Sequence, residues 1–192
     1  NKTVAGERYR AVGKAMGVVG IDEMNDVEAA DATIAAVKQA VQVPVVANGD
    51  ITSPEKARDV LAYTGADAVM IGRAAQGRPW IFREIGHFLA TGEHMAPPLV
   101  SELRQLLLEH LQDHYGLYGE LTGVRSARKH IAWYVRTLPG GEAFRKYINT
   151  IEDCQAQWQA VADYLDQLGL QMERLPYATN GADEQAIEEL AA

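Results

Sequence analysis

The sequence predicts an α/β portion followed by an all-α portion, and three observations carry the prediction. Residues 43–80 hold two short apolar runs, 43–47 and 68–71, with an amphipathic stretch between them, and the runs end in Asn48-Gly49-Asp50 and Gly72-Arg73. Pro97-Pro98 then interrupts the chain, because two consecutive prolines continue neither a helix nor a central strand. Beyond them apolar residues recur at helical spacing, with glycines between the segments.

Residues 1–31 are the least readable part. Val18-Val19-Gly20-Ile21 offers a short strand, but Gly6, Gly13, Gly17 and Gly20 dilute any period and no capping pattern stands out, so these residues are set apart as an atypical leader. From Asp31 to Val41 a helix is expected, with Ile34, Val37 and Val41 on one face. Val43, Val45, Val46 and Ala47 form a nearly continuous apolar run, which suits a strand buried on both faces. Ser53-Pro54-Glu55 starts the next helix: Ser53 can cap free amides, Pro54 is pre-set for the first helical position, and Glu55 suits the positive end of the dipole. Gly65 stops that helix, and Ala68-Val69-Met70-Ile71 is the second buried strand. Two strands joined by a helix imply a parallel crossover, as between successive strands of a β/α barrel. One helical turn follows at 73–77, and Pro79 opens a helix that runs to about Ala90 and ends at Gly92. Residues 32–92 are thus assigned to part of a β/α barrel, its C-terminal part by the resemblance given below, 93–99 to a linker and 100–170 to a helical bundle. Its helices are expected over 100–115, 122–137, 141–150 and 152–169, with Gly116, Gly119, Gly123, Gly140, Gly141 and Gly169 as punctuation. Residues 171–192 read as an acidic tail.

Composition narrows the function classes. A 47% hydrophobic content suffices for a core, and no apolar run reaches the roughly eighteen residues of a membrane span, so a cytoplasmic protein is expected. A single cysteine, Cys154, excludes an intrachain disulfide and a cysteine metal cluster; in its helix it reads as a small buried or half-buried hydrophobe. His110 and His114 form the one short histidine pair, but with no third ligand in sequence a solvated helix face is the better reading and no metal is expected. The net charge of −8 lies in the tail: residues 151–192 hold nine acidic residues and Arg174, whereas 1–150 balance at 17 of each sign. Residues 73–150 are mildly basic and hold every histidine, so the acidic whole does not exclude a polyanionic partner there.

Two constellations carry chemistry. A phosphate needs backbone N–H donors, close approach and a cation, and Asn48, Gly49, Asp50, Gly72 and Arg73 supply these from two strand ends. The plainer reading is that the glycines only turn the chain and that Arg73 pairs with an acid. The second constellation lies over 122–136, where helical geometry gathers Arg125, Arg128, Lys129 and Arg136 within about 100° and places Val124, Ala127, Ile131, Tyr134 and Val135 opposite. Trp133 and His130 flank the cations, and no acid lies between 121 and 141. An RNA backbone would suit this stripe; the alternative is a solvated surface.

The run NGDI, the string TGADAVMIGRAAQGRPWIFREI and the later RSARKHIAWY resemble the bacterial tRNA-dihydrouridine synthase family, above all its B type, over roughly 33–170. The resemblance implies a TIM-type (β/α)8 barrel with FMN, followed by a helical domain, that reduces uridine in tRNA to 5,6-dihydrouridine with NADPH as electron source. By motif, Asn48, Gly49 and Asp50 would lie in the FMN loop of the seventh strand, and Gly72 and Arg73 in the phosphate loop of the eighth. The family's first five or six strands, its protonating cysteine and its flavin-lining lysine and histidine have no counterpart here, nor has its His-Gly-Arg-Thr loop. The chain therefore reads as the C-terminal portion of the enzyme, with no catalytic residue of its own, inactive alone and prone to self-association through exposed barrel edges. Another phosphate-binding β/α-barrel enzyme and a non-catalytic RNA-binding module are the alternatives.

Overall fold

The computed structural model describes residues 4–176, so most of the stretch read as a tail, 177–192, lies outside the described residues. The chain divides into two compact units, residues up to 75 with 79–95, and 76–78 with the residues from 96 onward.

The first unit contains α1 (Val4–Ala15), α2 (Asp26–Ala40), β1 (Val46–Ala47), α3 (Pro54–Thr64), β2 (Ala68–Val69), a 3-10 turn at Arg73–Ala75 and α4 (Ile81–Thr91). The leader contributes α1 and the start of α2, and Val18–Ile21 is a turn rather than a strand, with Ile21 in the core. The α1 helix carries no clear apolar period because glycine makes its contact face. Gly6 and Gly13 lie seven residues apart on one side; a Cβ on Gly6 would overlap the Asp26 carboxylate, and one on Gly13 the Ile21 side chain. Thr33 on α2 donates its hydroxyl to the Tyr9 and Ala29 carbonyls at 3.0 and 2.7 Å, and the buried Arg10 pairs with Asp26 at 2.7 Å and reaches the Met24 carbonyl at 2.8 Å. The second helix begins at Asp26, five residues before the expected Asp31. Asn25 accepts from the amides of Val27 and Glu28 at 3.0 Å, and the Glu28 carboxylate accepts from the Asn25 amide, a capping box that the string NDVE announces.

The strand-helix-strand unit forms as expected, with β1 and β2 parallel and Val46 and Ala47 opposite Ala68 and Val69. Ser53 caps α3 through the Lys56 amide at 3.2 Å, and Gly65 ends it in the left-handed region at φ 66°. Ile34, Ala47, Ile51, Ala57, Val60, Ala66, Ile81 and Ile85 make the core, and full burial of one such valine or isoleucine contributes roughly 1.5–3 kcal/mol. The strands are shorter and wetter than the expectation of burial on both faces. Ala47 is fully buried, but Val46 is 51% and Met70 52% exposed, because a two-stranded sheet whose core lies to one side leaves the alternate side chains facing out. A mostly helical chain with a small parallel sheet is consistent with part of a barrel.

In the second unit, α5 (Val100–Tyr118), α6 (Glu120–Val135), α7 (Gly141–Ile148) and α8 (Cys154–Gln171) pack on one another, α5 against α6 and α8, and α6 also against α7. Leu103, Leu107 and Leu111 form the buried stripe of α5, opposite Val124, Ala127, Ile131 and Val135 of α6 and Val161, Leu165 and Leu168 of α8. The fully buried Gln157 is satisfied on both sides, accepting from the Tyr115 hydroxyl at 2.7 Å and donating to the Val124 carbonyl at 3.2 Å. Gly169 lies inside α8 rather than ending it. The stretch read as a linker and the first residues read as tail are joined to each other: Leu99 bridges Arg174, the Val100 and Leu175 amides donate to the Glu173 and Pro98 carbonyls, and Leu175 is buried. Gly77 completes the unit. Its φ of 76° and its approach to the Trp133 carbonyl, where a Cβ would overlap, admit only glycine.

Candidate functional site

At the C-terminal ends of β1 and β2 the chain turns through Asn48-Gly49-Asp50 and Gly72-Arg73. The two turns meet, because the Arg73 guanidinium donates to the Asp50 carboxylate. Asp50 reaches this position through a positive φ of 43°, a left-handed conformation that Asp tolerates better than most residues. Both side chains remain open to solvent, Arg73 at 46% and Asp50 at 66%. The Asn48 carbonyl accepts from the Tyr9 hydroxyl at 3.2 Å, so α1 fixes the first turn. Behind Gly49 lies Asp31, buried, with Lys56 Nζ 3.4 Å from one carboxylate oxygen. A Cβ on Gly72 would meet nothing within 4 Å.

All five predicted strand-end residues therefore belong to one edge of the sheet, and they suit a phosphate group. Gly72 leaves room for close approach, and Arg73 is a solvent-accessible cation beside the amides that open the 3-10 turn. Arg73 is nonetheless engaged by an acid of the same site, so an incoming phosphate would have to take the place of the Asp50 carboxylate.

On α6 the apolar and cationic faces separate as predicted. Val124, Ala127, Ile131, Tyr134 and Val135 are buried, Arg125 and Lys129 are exposed, and Arg128 and Arg136 are half-buried. Burial pushes the Tyr134 phenol up to about 12. No acid lies within 121–141, but one reaches the stripe from further along the chain. Glu152, just ahead of α8, accepts from Arg128 at 2.7 Å and Arg125 at 3.1 Å, and these two hydrogen bonds hold its carboxyl below the usual range. Arg128 also donates to the Ile151 carbonyl at 2.8 Å. Lys129 sits over the Trp133 ring, 5.1 Å from its centroid.

The fold also corrects the reading of His110 and His114 as an isolated pair on a solvated face. His114 is buried, and α6 brings His130 to 5.1 Å from both rings, centroid to centroid. Only the i,i+4 spacing of the pair was visible in the sequence. Among the described residues no group of three or more His, Cys, Asp or Glu side chains is placed to hold a metal ion. Cys154 opens α8 half-buried, its Sγ 3.9 Å from a Glu120 carboxylate oxygen, and burial together with Glu120 and Asp153 raises its thiol.

Comparison with known proteins draws these features together. A sequence model described as dihydrouridine synthase matches residues 22–168. Among curated proteins, the chain is 62% identical over 125 residues to tRNA-dihydrouridine synthase B of Pseudomonas putida, covering 65% of this chain and 37% of that protein. It is 51% identical over 160 residues to the protein of the same description from Pseudomonas syringae, covering 83% and 44%. The synthase B of Shewanella oneidensis is 58% identical over 136 residues, covering 71% and 42%. The chain thus spans about two fifths of the length of the curated relatives it matches. The matched region takes in both glycine-ended strands and the helices from α5 into α8, and on that ground the chain belongs to the dihydrouridine synthase family.

Proposed function

We propose that this chain forms part of an FMN-dependent tRNA-dihydrouridine synthase, which reduces uridine in tRNA to 5,6-dihydrouridine with NADPH as the electron source. Family membership and the synthase B relatives support the reaction class. The observation that carries the chain's own role is the convergence of Gly72-Arg73 and Asn48-Gly49-Asp50 at one sheet edge. Arg73 would hold the FMN phosphate after giving up Asp50, Gly72 would let the backbone approach it, and Asn48 and Gly49 would line the adjoining turn. FMN, when bound, would supply the hydride chemistry. The Arg73 guanidinium would balance the phosphate charge and fix the orientation of that end of the cofactor.

On the helical unit, Arg125, Arg128, Lys129 and Arg136 would meet tRNA phosphates. The exposure of Arg125 and Lys129 supports a direct contact, while the Glu152 and Ile151 bonds give Arg128 a share in holding the helix. Two strand ends make only part of a flavin pocket, so the 192 residues alone are expected to bind FMN weakly or not at all and to lack synthase activity. The 64% exposure of Val43 and the open Val46 favour self-association of the isolated chain. The test is a full-length enzyme carrying this segment. It should purify with a visible flavin band and form dihydrouridine in unmodified tRNA, whereas an enzyme free of flavin, or one active on a small metabolite instead, would overturn the reading.

A further inference from the structure

His110 and His114 stand one turn apart on α5, their rings 6.3 Å apart, and His130 of α6 closes the group at 5.1 Å from each. The Ser126 hydroxyl donates to the Thr122 carbonyl at 2.7 Å, so its oxygen accepts from His114 Nε2 at 2.7 Å, and Nδ1 is the nitrogen of His114 left to take a proton. His110 and His130 are half-buried and reach solvent.

The neighbours of these rings can be named element by element. From α5, Tyr118 lies 4.6 Å from His114; from α6, Trp133 lies 5.0 Å from His130 and Tyr134 6.2 Å from His110, and Lys129 acts on His130 as a like charge. The 76–78 segment touches the Trp133 and Tyr134 backbone through Gly77 and carries Arg78 next to it. On α8 the polar group between α5 and α6 is the neutral Gln157, and on α7 Glu142 is engaged by Arg145 and Lys146. Burial and then His110 hold His114 below its ordinary value, and burial, His110, His114 and Lys129 do the same for His130. The charges that lower His114 and His130 are those of the neighbouring imidazoles and Lys129, while Glu109 and Asp113 adjoin His110 and His114 along α5.

We propose that His110 and His130, with the buried His114 behind them, form with Lys129 a phosphate-binding patch at which bound RNA draws protons onto the imidazoles, making tRNA binding proton-linked; this rests on the reading that α6 faces tRNA. Protonating one of these rings in the free protein sets a cation against two imidazoles and Lys129. A phosphate diester at the same place reverses the sign of the local potential, so the rings take up protons as RNA binds and give them back as it leaves. The geometry favours this patch over the other half of the stripe, because Glu152 already balances Arg125 and Arg128, whereas among the described residues Lys129 has only the Trp133 face. Trp133, in edge contact with His130 and beneath Lys129, gives an unstacked base an aromatic neighbour.

The experiment is calorimetric titration of the 192-residue chain with an unmodified tRNA transcript near neutral pH, in two buffers of different ionisation enthalpy, repeated down to mildly acidic pH. The expected result is net proton uptake on binding, with the dissociation constant falling by up to about tenfold per pH unit for each proton taken up. A His110→Gln, His130→Gln variant should bind tRNA more weakly in mild acid, where the parent's rings are charged, and should lose most of the uptake and the pH dependence. Binding with no proton uptake would overturn the proposal and leave the RNA reading standing, as would full uptake retained in the double variant. Failure to bind tRNA at any pH and at low salt would overturn both. The two-buffer measurement needs no substitution, so it decides even where the variant fails to fold.

Discussion

Arg73 and Arg128 are both held by a carboxylate, yet the two pairs differ in exposure and in what else each arginine holds. Arg73 meets one acid, Asp50, across the ends of two adjacent strands, and both partners are open to water. Arg128 is 22% exposed, shares Glu152 with Arg125, and also satisfies the Ile151 carbonyl. An exposed pair between two loops is weak and exchangeable, with a typical worth of about 0–1 kcal/mol, so a ligand phosphate can replace one member. A half-buried guanidinium that also carries a backbone carbonyl anchors the turn ahead of α8, and its loss leaves acceptors without a donor. The same residue type is thus open to exchange in one unit and tied into the backbone in the other.

Substitution can break or sharpen this contrast. In a full-length enzyme, Arg73→Ala should weaken FMN by roughly 1.5–3 kcal/mol, toward the lower end because the site is exposed, with little change in melting temperature. An unchanged flavin dissociation constant would make Arg73 structural as well. Asp50→Asn should leave Arg73 unpaired for phosphate and tighten FMN severalfold, which fluorescence titration would show; weaker binding would mean that Asp50 itself touches the cofactor. Arg128→Ala should lower the stability of the chain by about 1–2 kcal/mol in urea denaturation, while Arg125→Ala should change it by less than about 0.5. Equal effects would erase the distinction drawn within the stripe.

Arg125→Ala with Lys129→Ala should weaken tRNA binding across sequences and lower the magnitude of the salt slope by roughly one to two, with flavin content intact. Unaltered affinity and slope would reduce the stripe to a surface. The smallest effect concerns pH. His114 and His130 are held below the ordinary value of 6.5, so in acid the unfolded chain binds more protons than the folded one. Stability should therefore be flat above about pH 6.5 and fall as pH drops below it, and the fall should shrink in the His110→Gln, His130→Gln variant. Melting curves that rise on acidification would contradict the crowding of these rings.

Legibility followed the range of the interaction. The start and stop of α3 were readable because Ser53, Pro54 and Gly65 act on amides and carbonyls within one turn of themselves. The division of α6 into apolar and cationic faces was readable because helical geometry alone sets it. The strand-end glycines and Arg73 are legible because they directly follow the apolar runs, whereas the Arg73–Asp50 pair depends on how two strands lie side by side. The Asn25–Glu28 capping box is equally local, but it follows a glycine-rich stretch that dilutes any period. Those glycines are the contact surface of α1, a face with no apolar signal to detect.

What the sequence determined by itself is therefore the placement of the helices in the second unit, the parallel strand-helix-strand unit and the identity of its strand-end residues, all set by short-range backbone chemistry and periodicity. Only the tertiary structure decided which charges meet. Glu152 lies sixteen residues past Arg136 and reaches Arg125 and Arg128 because α7 turns the chain back on α6, and His130 joins His110 and His114 because α5 and α6 pack side by side. Electrostatic pairing depends on distance in space, which chain separation does not encode once helices fold over one another.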